Sequence, residues 1–373
     1  MLPADIKLIS VDDHVVEPPT LWTERLPSRY KEIGPRVEEL PNGRQAWVYE
    51  DIVAPPEIGM VRTIAGVDRE TLPNNHVRFD EMRPGCFDPK ERLVDMDTDG
   101  VWAELAFPTF ARFAGHRFIE GKDRELSALC VQAYNDYILE EWCATDPERL
   151  LPMAVLPFWD VERSIAEVRR VAALGAKAIA FSENPTYLGL PSVHRDHWEP
   201  LWAAIEEVDL PICMHIASGT KLMSSSDEMP WPAVVAMDAV GTMLNCTDWL
   251  YSGVFDRFPK LRIILSEGGA GWVPYVLERI DKVFDIHRPR IVATTRPIEA
   301  FREHVYVCIV TDEYALGNLD RIGVDNVLWE SDYPHNDSMW PDSRTVFENA
   351  TAHLDAASIR KVGETNARRI LAL

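Results

Sequence analysis

An aspartate and a histidine close the first apolar run of the chain, and their spacing lets both side chains act on one point. The run extends from Ile6 to Val11 and is typical of a short buried strand, with Asp12 and His14 at its end. Because side chains two residues apart on a strand point the same way, Asp12 and His14 are expected to converge. A carboxylate and an imidazole aimed together from the C-terminal end of a strand make half of a metal site.

The other half of such a site is found at the ends of three later apolar runs. His215, Glu267 and Asp332 each close a run of this kind. Two histidines with carboxylates and no cysteine suit zinc, manganese or a similar divalent ion, with a coordination position left for water or substrate. Several carboxylates gathered at one point are unfavourable unless a cation neutralises them. The pattern therefore predicts a metal centre.

Each of these residues also has a purely structural explanation. A histidine that ends an apolar strand is often a hydrogen-bonded core residue, which is the alternative for His215. The aspartates Asp12, Asp13 and Asp332 could cap turns. Glu267 could be the first-turn acid of the helix that follows it. The repetition of the same pattern on four different strands favours metal binding over these explanations.

Further candidates lie beside the proposed centre. His335 follows the last run closely and has two equally weighted interpretations, a contact with substrate or a ligand carboxylate, or a surface loop histidine. Trp272 and Trp340 could stack on a flat substrate. An arginine near the second strand could pair with a substrate carboxylate, although a surface ion pair is the usual fate of such a residue; the candidates are Arg78, Arg83, Arg112 and Arg117.

Eight short apolar runs alternate with helical segments along the chain. The runs are 6–11, 101–107, 151–156, 176–181, 210–215, 261–267, 304–308 and 327–332, and the predicted helices include 123–145, 161–174 and 230–252. Apolar strands joined by helices indicate a parallel sheet buried on both faces, and eight such units predict an α/β protein with a (β/α)₈ TIM barrel. The alternative is a doubly wound open sheet, but the first strand lacks the Gly-rich phosphate loop typical of that fold.

A long insertion follows the first strand. Residues 20–90 are rich in proline, and 44–50 could form a strand of a small excursion. Long insertions of this kind are usually lids or subunit contacts. We therefore expect one domain, 1–373, in which 20–90 is an insertion that caps the site.

Composition excludes several classes of partner. The 373 residues carry a formal net charge of −22, which argues against binding nucleic acid or an anionic membrane. No apolar run reaches about 18 residues, so no transmembrane helix is expected. The six cysteines are scattered without a CxxC pair, which predicts free thiols in a reducing compartment. The first residues lack the features of a signal peptide, and a cytoplasmic protein is predicted.

Four segments, in this order, resemble the amidohydrolase superfamily, in particular the amidohydrolase-related branch that includes aminocarboxymuconate-semialdehyde decarboxylase and gamma-resorcylate decarboxylase. They are Val11-Asp12-Asp13-His14, Met214-His215, 266–272 and 330–335. The resemblance implies that the metal ligands are Asp12, His14, His215 and Asp332. Decarboxylases of the branch usually have a histidine where this chain has Glu267, which leaves Glu267 as an extra ligand or an acid–base group. No lysine stands after the fourth strand to bridge two metals, so one metal is expected.

The resemblance implies an enzyme with one divalent metal, zinc ahead of manganese. A hydrolase of a small carboxylated or aromatic substrate is expected, in which Asp332 takes a proton from water while Glu267 or His335 helps to protonate the leaving group. The alternative is a non-oxidative decarboxylase in which Asp332 protonates a ring carbon before carbon dioxide leaves. A second alternative is a metal-binding barrel without turnover. A homo-oligomer, either a dimer or a tetramer, is expected.

Overall fold

The computed structural model describes residues 2–3, 5–54, 65–66, 78–219, 223–335 and 337–373. Parts of the predicted insertion, 55–64 and 67–77, therefore lie outside the described residues. The strands in chain order are β1 (Leu8–Val15), β2 (Arg36–Glu39), β3 (Gln45–Tyr49), β4 (Ile52–Val53), β5 (Val101–Pro108), β6 (Leu150–Leu151), β7 (Met153–Ala154), β8 (Ala178–Ala180), β9 (Ile212–His215), β10 (Ile263–Ser266), β11 (Val305–Ile309) and β12 (Val327–Trp329).

Nine of these strands form two parallel ladders, ordered β1-β5-β6 and β7-β8-β9-β10-β11-β12. Pro152 lies between β6 and β7, and because proline has no N–H it interrupts what is otherwise one strand. At the other seam, the Asp332 N–H donates to the Asp12 carbonyl at 2.9 Å, and the His14 N–H donates to the Tyr333 carbonyl at 2.6 Å. The strands therefore form the wall of a (β/α)₈ barrel, and the predicted fold is confirmed.

Helices connect the strands and cover the barrel. They are α1 (Leu21–Arg25), α2 (Pro89–Asp99), α3 (Arg124–Tyr137), α4 (Val161–Ala173), α5 (Glu199–Glu207), α6 (Trp231–Val235), α7 (Ala239–Tyr251), α8 (Val254–Arg257), α9 (Val273–His287), α10 (Pro297–His304), α11 (Glu313–Leu316), α12 (Leu319–Ile322), α13 (Ser343–Thr351), α14 (Ala356–Arg360) and α15 (Asn366–Ile370). Among the described residues, none of the helices is long and apolar enough to cross a membrane.

Local sequence signals set several helix ends, and α2 is the clearest case. The Asp88 side chain accepts from the N–H groups of Lys90 and Glu91, Pro89 occupies the first turn, and Gly100 ends the helix at φ 75°. Two predicted helices differ from the structure. The segment predicted as 230–252 is divided into α6 and α7, and that predicted as 123–145 leaves the α-helical pattern after Tyr137 for a wider π turn.

The described part of the insertion packs on the barrel. Strands β2, β3 and β4 form a separate antiparallel sheet, which confirms the strand predicted near 44–50. Trp47 of β3 is buried and stacks on Phe110 with ring centroids 4.6 Å apart. Farther along, the Ala65 N–H donates to the Pro334 carbonyl at 3.1 Å, which brings the insertion to the loop after β12. Its role as a cap, and the extent of the domain, stay predictions.

A buried arginine joins α2 to the start of the barrel. Arg92 is fully buried, and its Nη1 donates to both carboxylate oxygens of Glu104 on β5 at 2.8 Å. Its Nε donates to the Gly85 carbonyl at 2.7 Å, and its Nη2 donates to the carbonyl of His14. The guanidinium therefore fixes the end of β1, where two predicted metal ligands lie.

Removing one member of this buried pair should be far more destabilising than removing a member of a surface pair. Arg92→Ala leaves the Glu104 carboxylate buried without its partner, and the free energy of unfolding should fall by about 3–5 kcal/mol. The matched control is Arg163→Ala, which breaks an exposed pair with Glu125 (2.7 Å) and should cost less than about 1 kcal/mol. Urea unfolding measures both; equal losses would contradict the assignment.

Candidate metal centre

Five predicted site residues converge at the C-terminal ends of the barrel strands. Candidate ligand atoms of Asp12, His14 and His215 lie within 4.8 Å of one another, as do those of His14, Asp332 and His335. All five side chains are buried. The register of β9 with β10 pairs His215 with Ser266, which places Glu267 next to His215. The structure thus brings together every residue that the sequence proposed for the centre.

The distances between these side chains match those between ligands of one ion. His14 Nε2 lies 3.1 Å from Asp332 Oδ1 and 3.5 Å from Asp12 Oδ1. His215 Nε2 lies 3.6 Å from Asp12 Oδ2 and 3.0 Å from Glu267 Oε2. The Nδ1 of His335 is 3.2 Å from the same Asp332 Oδ1, and the His335 ring stacks on that of His14 with centroids 3.6 Å apart. Ligands about 2.1 Å from a shared metal are separated by similar distances.

Several of these atoms lack hydrogen-bond partners although they are close to one another. They are both oxygens of Asp12, both oxygens of Asp332, both ring nitrogens of His14, and Nε2 of His215. Buried polar atoms are normally hydrogen-bonded, so such a group of unsatisfied atoms fits a divalent cation. The Nδ1 of His215 donates to the Ile216 carbonyl at 2.6 Å, since a carbonyl can only accept. That bond leaves Nε2 as the lone-pair nitrogen facing Asp12 and Glu267.

Electrostatics favour a cation at the same point. Burial, together with the charges of Glu330, Glu267 and Asp332, raises the pKa of Asp12 well above its ordinary value. Burial also lowers the pKa of His14 well below its ordinary value, which keeps the imidazole neutral and able to coordinate. For His215 burial opposes the charged form, but Glu267, the Ile216 carbonyl and the charge of Asp332 together outweigh burial and raise the pKa. A bound cation would relieve the repulsion that acts on Asp12.

Asp13 has a role that the sequence did not assign. It lies between the candidate ligands Asp12 and His14 on β1, so its side chain points the opposite way. Its Oδ1 accepts from the Ser331 hydroxyl and from the Tyr333 N–H at 2.9 Å. Asp13 thus fixes the segment that carries Asp332 and His335. The alternation of side chains along a strand could have indicated that Asp13 and Asp12 have different partners, but not which partners.

Three strand ends around the centre have left-handed backbone conformations at non-glycine residues. These are Ala217 after β9 (φ 58°), Glu267 after β10 (φ 59°) and Asp332 after β12 (φ 53°). Such conformations are unfavourable for residues with a Cβ atom and persist where the surrounding structure enforces them. They turn the chain sharply where each strand ends, which aims the side chains of Glu267 and Asp332 at the centre.

Phe113 was missed in the sequence because nothing in its type or spacing indicates a site. It lies in the loop after β5 and stacks on the His215 ring, with centroids 3.7 Å apart. It also lines a cavity of about 60 Å³ that reaches the centre. The other lining residues are Ile216, Ala217, Trp231, Val235, Asp238, Glu267, Asp332, His335 and Asp337.

The tryptophans and arginines singled out in the sequence lie elsewhere. Trp272 donates to the carbonyls of Gly268 and Gly269 at 3.0 Å, and Trp340 donates to Asp95, so neither lines the described cavity. The four arginines are engaged by acidic side chains: Arg78 by Asp80, Arg83 by Asp95, and Arg112 and Arg117 by Glu120. In the described part of the chain, no lysine or arginine lines this cavity.

Comparison with known proteins assigns the chain to a family. Residues 46–373 match the family model described as amidohydrolase. The chain belongs to the amidohydrolase family. A gamma-resorcylate decarboxylase from Rhizobium radiobacter is 30% identical over 272 residues, which cover 67% of this chain and 78% of that protein. The resemblance inferred from the sequence segments is confirmed.

Solved structures agree on the fold. An amidohydrolase from Mycobacterium avium subsp. paratuberculosis K-10 superposes with a TM-score of 0.80 at 23% identity, covering 99% of this chain and all of that one. A dihydroxybenzoic acid decarboxylase from Polaromonas sp. JS666, with bound manganese and the inhibitor 2-nitroresorcinol, superposes with a TM-score of 0.68 at 19% identity and covers 99% and 97% of the two chains. At these identities the likeness establishes the fold alone.

Metal binding should depend on His215. The purified protein should contain about one divalent ion per chain, and His215→Ala should contain none, because it loses the nitrogen that faces Asp12. An ion present at 100 times its dissociation constant stabilises the fold by about 2.7 kcal/mol, so Mn²⁺ or Zn²⁺ added after removal of the bound ion should raise the melting temperature of the parent protein but not that of His215→Ala. Elemental analysis and thermal unfolding measure these effects.

The matched control is His194→Ala, which removes a surface histidine paired with Asp248 at 2.6 Å. This variant should keep the metal. Full metal content in His215→Ala would refute the assignment of the centre.

Glu17, which follows β1, is a buried carboxyl group that binds the loop carrying Phe113, and its titration should be measurable. Glu17 accepts from the N–H groups of Phe110 (2.8 Å) and Ala111 (3.0 Å), and burial raises its pKa from 4.5 to about 7. The folded state therefore binds this proton more tightly than the unfolded state, and the resulting stabilisation is lost as the pH rises from 4.5 through 7.

Glu17→Gln, which mimics the protonated form, should gain stability relative to the parent protein between pH 4.5 and 7.5, by at most about 3 kcal/mol. Urea unfolding at several pH values measures this difference. Parallel stability curves for the two proteins would contradict the assignment.

Proposed function

We propose that this protein is a metal-dependent carboxy-lyase that removes carbon dioxide from a small aromatic carboxylic acid. The observation that carries the proposal is its 30% identity, over two thirds of the chain, to a gamma-resorcylate decarboxylase. That relative supports the decarboxylase alternative rather than the hydrolase that the sequence favoured.

The ligands proposed for the metal are Asp12, His14, His215 and Asp332, whose carboxylate oxygens and Nε2 atoms lack hydrogen-bond partners. Manganese is proposed ahead of zinc, because the similar decarboxylase structure from Polaromonas holds manganese. When bound there, a divalent cation supplies Lewis-acid attraction for a carboxylate and a neighbouring oxygen of the substrate. This attraction matters in a protein of net charge −22, which repels anions at long range.

The cavity suits a flat molecule with one negative charge. Phe113, Ile216, Trp231 and Val235 supply apolar and aromatic surface. The charged side chains of the described lining are acidic apart from His335, so a second anionic group on the substrate would find no counter-charge there. Hydroxyl or amino substituents on a ring could instead donate hydrogen bonds to the lining carboxylates.

Asp332 is proposed to deliver the proton that the reaction needs. Transfer of this proton to the ring carbon that bears the carboxylate forms a C–H bond. The bond to the carboxylate then breaks, its electron pair returns to the ring, and carbon dioxide leaves. Asp332 must afterwards regain a proton, and His335 is placed to relay it, since its Nδ1 lies 3.2 Å from Asp332 Oδ1. Glu267, 3.0 Å from His215, remains either a further ligand or a second acid–base group.

The proposal is tested by incubating the manganese-loaded protein with a panel of hydroxy- and aminobenzoates and measuring carbon dioxide release. Asp332→Asn should lower the rate by about 10²–10⁴-fold, the usual contribution of a general acid. His194→Ala should have the activity of the parent protein. Hydrolysis of esters, amides or diketones without carbon dioxide release from any acid would favour the hydrolase instead.

A further inference from the structure

A buried glutamate supports Glu267 from across the sheet. Glu330 follows β12 directly and is 1% exposed, and its backbone N–H donates to the Ile309 carbonyl of β11 at 3.1 Å. Its side chain reaches past β11, because its Oε2 accepts the backbone N–H of Glu267, beyond the end of β10, at 3.1 Å. The side chain of Glu330, just beyond β12, thus fixes the backbone of Glu267 at the end of β10, two strands away.

The bond is made at a residue whose backbone conformation is unfavourable. Glu267 has a φ of 59°, which an L residue adopts only when its surroundings enforce it. Loss of this acceptor would leave the Glu267 N–H without the partner that it has in the structure, at a residue whose backbone conformation is already unfavourable.

The chain beyond Glu267 is restrained separately. Asp312 Oδ2 accepts from the N–H groups of Ala270 (2.9 Å) and Gly271 (2.6 Å). Gly268 packs closely on Thr242, since a Cβ atom at Gly268 would lie 2.4 Å from the Thr242 Oγ1. With the following residues fixed, the bond to Glu330 determines how Glu267 itself is oriented.

The orientation matters because of where the Glu267 carboxylate lies. Its Oε2 is 3.0 Å from His215 Nε2, the nitrogen proposed as a metal ligand, and its side chain is 19% exposed towards the cavity. We propose that Glu330 is a positioning residue, which holds Glu267 in its left-handed conformation so that the Glu267 carboxylate lies beside the lone pair of His215 Nε2 and strengthens the binding of a cation there through its negative charge. The proposal rests on the metal centre of the proposed function, and it does not depend on which reaction the centre performs.

A double-mutant cycle tests the proposal through the dissociation constant of Mn²⁺. Glu330→Met removes the acceptor at similar volume and should weaken Mn²⁺ binding about 10-fold, as is usual when a partner of a ligand is lost. Glu267→Ala should weaken binding at least as much. In the Glu267→Ala background, Glu330→Met should have no further effect, because the group that Glu330 positions is absent. Calorimetric titration of each variant gives the four constants.

Glu330→Gln is the matched control, since its amide oxygen still accepts the N–H of Glu267, and its Mn²⁺ affinity should stay within about three-fold of the parent value. Circular dichroism and thermal unfolding establish that each variant is folded. The proposal is overturned if Glu330→Gln weakens binding as much as Glu267→Ala, which would indicate a role for charge alone. It is also overturned if the two substitutions are additive. If Glu330→Met does not fold, the Mn²⁺ affinity of Glu330→Gln can still contradict the proposal.

The outcome separates this proposal from the proposed function. Absence of Mn²⁺ binding in the parent protein would refute the metal centre itself. Tight binding in the parent with additive losses in the variants would refute only the role of Glu330.

Discussion

The site depends on the joint between the first strand and the chain that follows the last one. The two reciprocal backbone bonds, from Asp332 to Asp12 and from His14 to Tyr333, link segments that are about 320 residues apart in sequence. Each of these bonds has a proposed ligand as donor or acceptor, so the contacts that join the two ends of the barrel also hold Asp12, His14 and Asp332 together. Asp13 reinforces the joint through its two bonds to the chain after β12.

Strong electrostatic repulsion is built into this joint. Asp12, Asp13 and Glu330 are buried close together, and burial is the largest cause of the raised pKa of each. The guanidinium of Arg92, which donates hydrogen bonds to the His14 carbonyl and to Glu104, partly offsets their negative charge. On the side of the cavity, where Glu267 and Asp332 lie, the described lining contains no lysine or arginine. A divalent cation at that position would give the buried carboxylates the partner that buried charges need.

The sequence predicted the residues that act through strand position and missed those that act through tertiary contact. Asp12, His14 and His215 were predictable because strand periodicity and the shared C-terminal edge of a barrel determine where they point. Phe113 carries no charge and lies in an irregular loop. The role of Glu330 depends on a bond that crosses an intervening strand, which no local pattern encodes. The long helix predicted over 230–252 was wrong in the middle, where the chain turns between α6 and α7.

The proposed ligands lie at the ends of the barrel strands, whereas other residues of the cavity lie in the segments beyond them. This difference explains why the proposed ligands alone did not identify the reaction. His14, His215 and Asp12 are held by the barrel wall and are suited to a divalent ion whatever the substrate. Glu267 and Phe113 belong to the irregular segments beyond the strand ends, and both contact His215 and line the cavity. Replacing either would change what the cavity accepts without dismantling the joint that holds the ligands. The proposed metal centre therefore depends on the barrel wall, whereas the cavity beside it is shaped by side chains beyond the strand ends, such as Glu267 and Phe113.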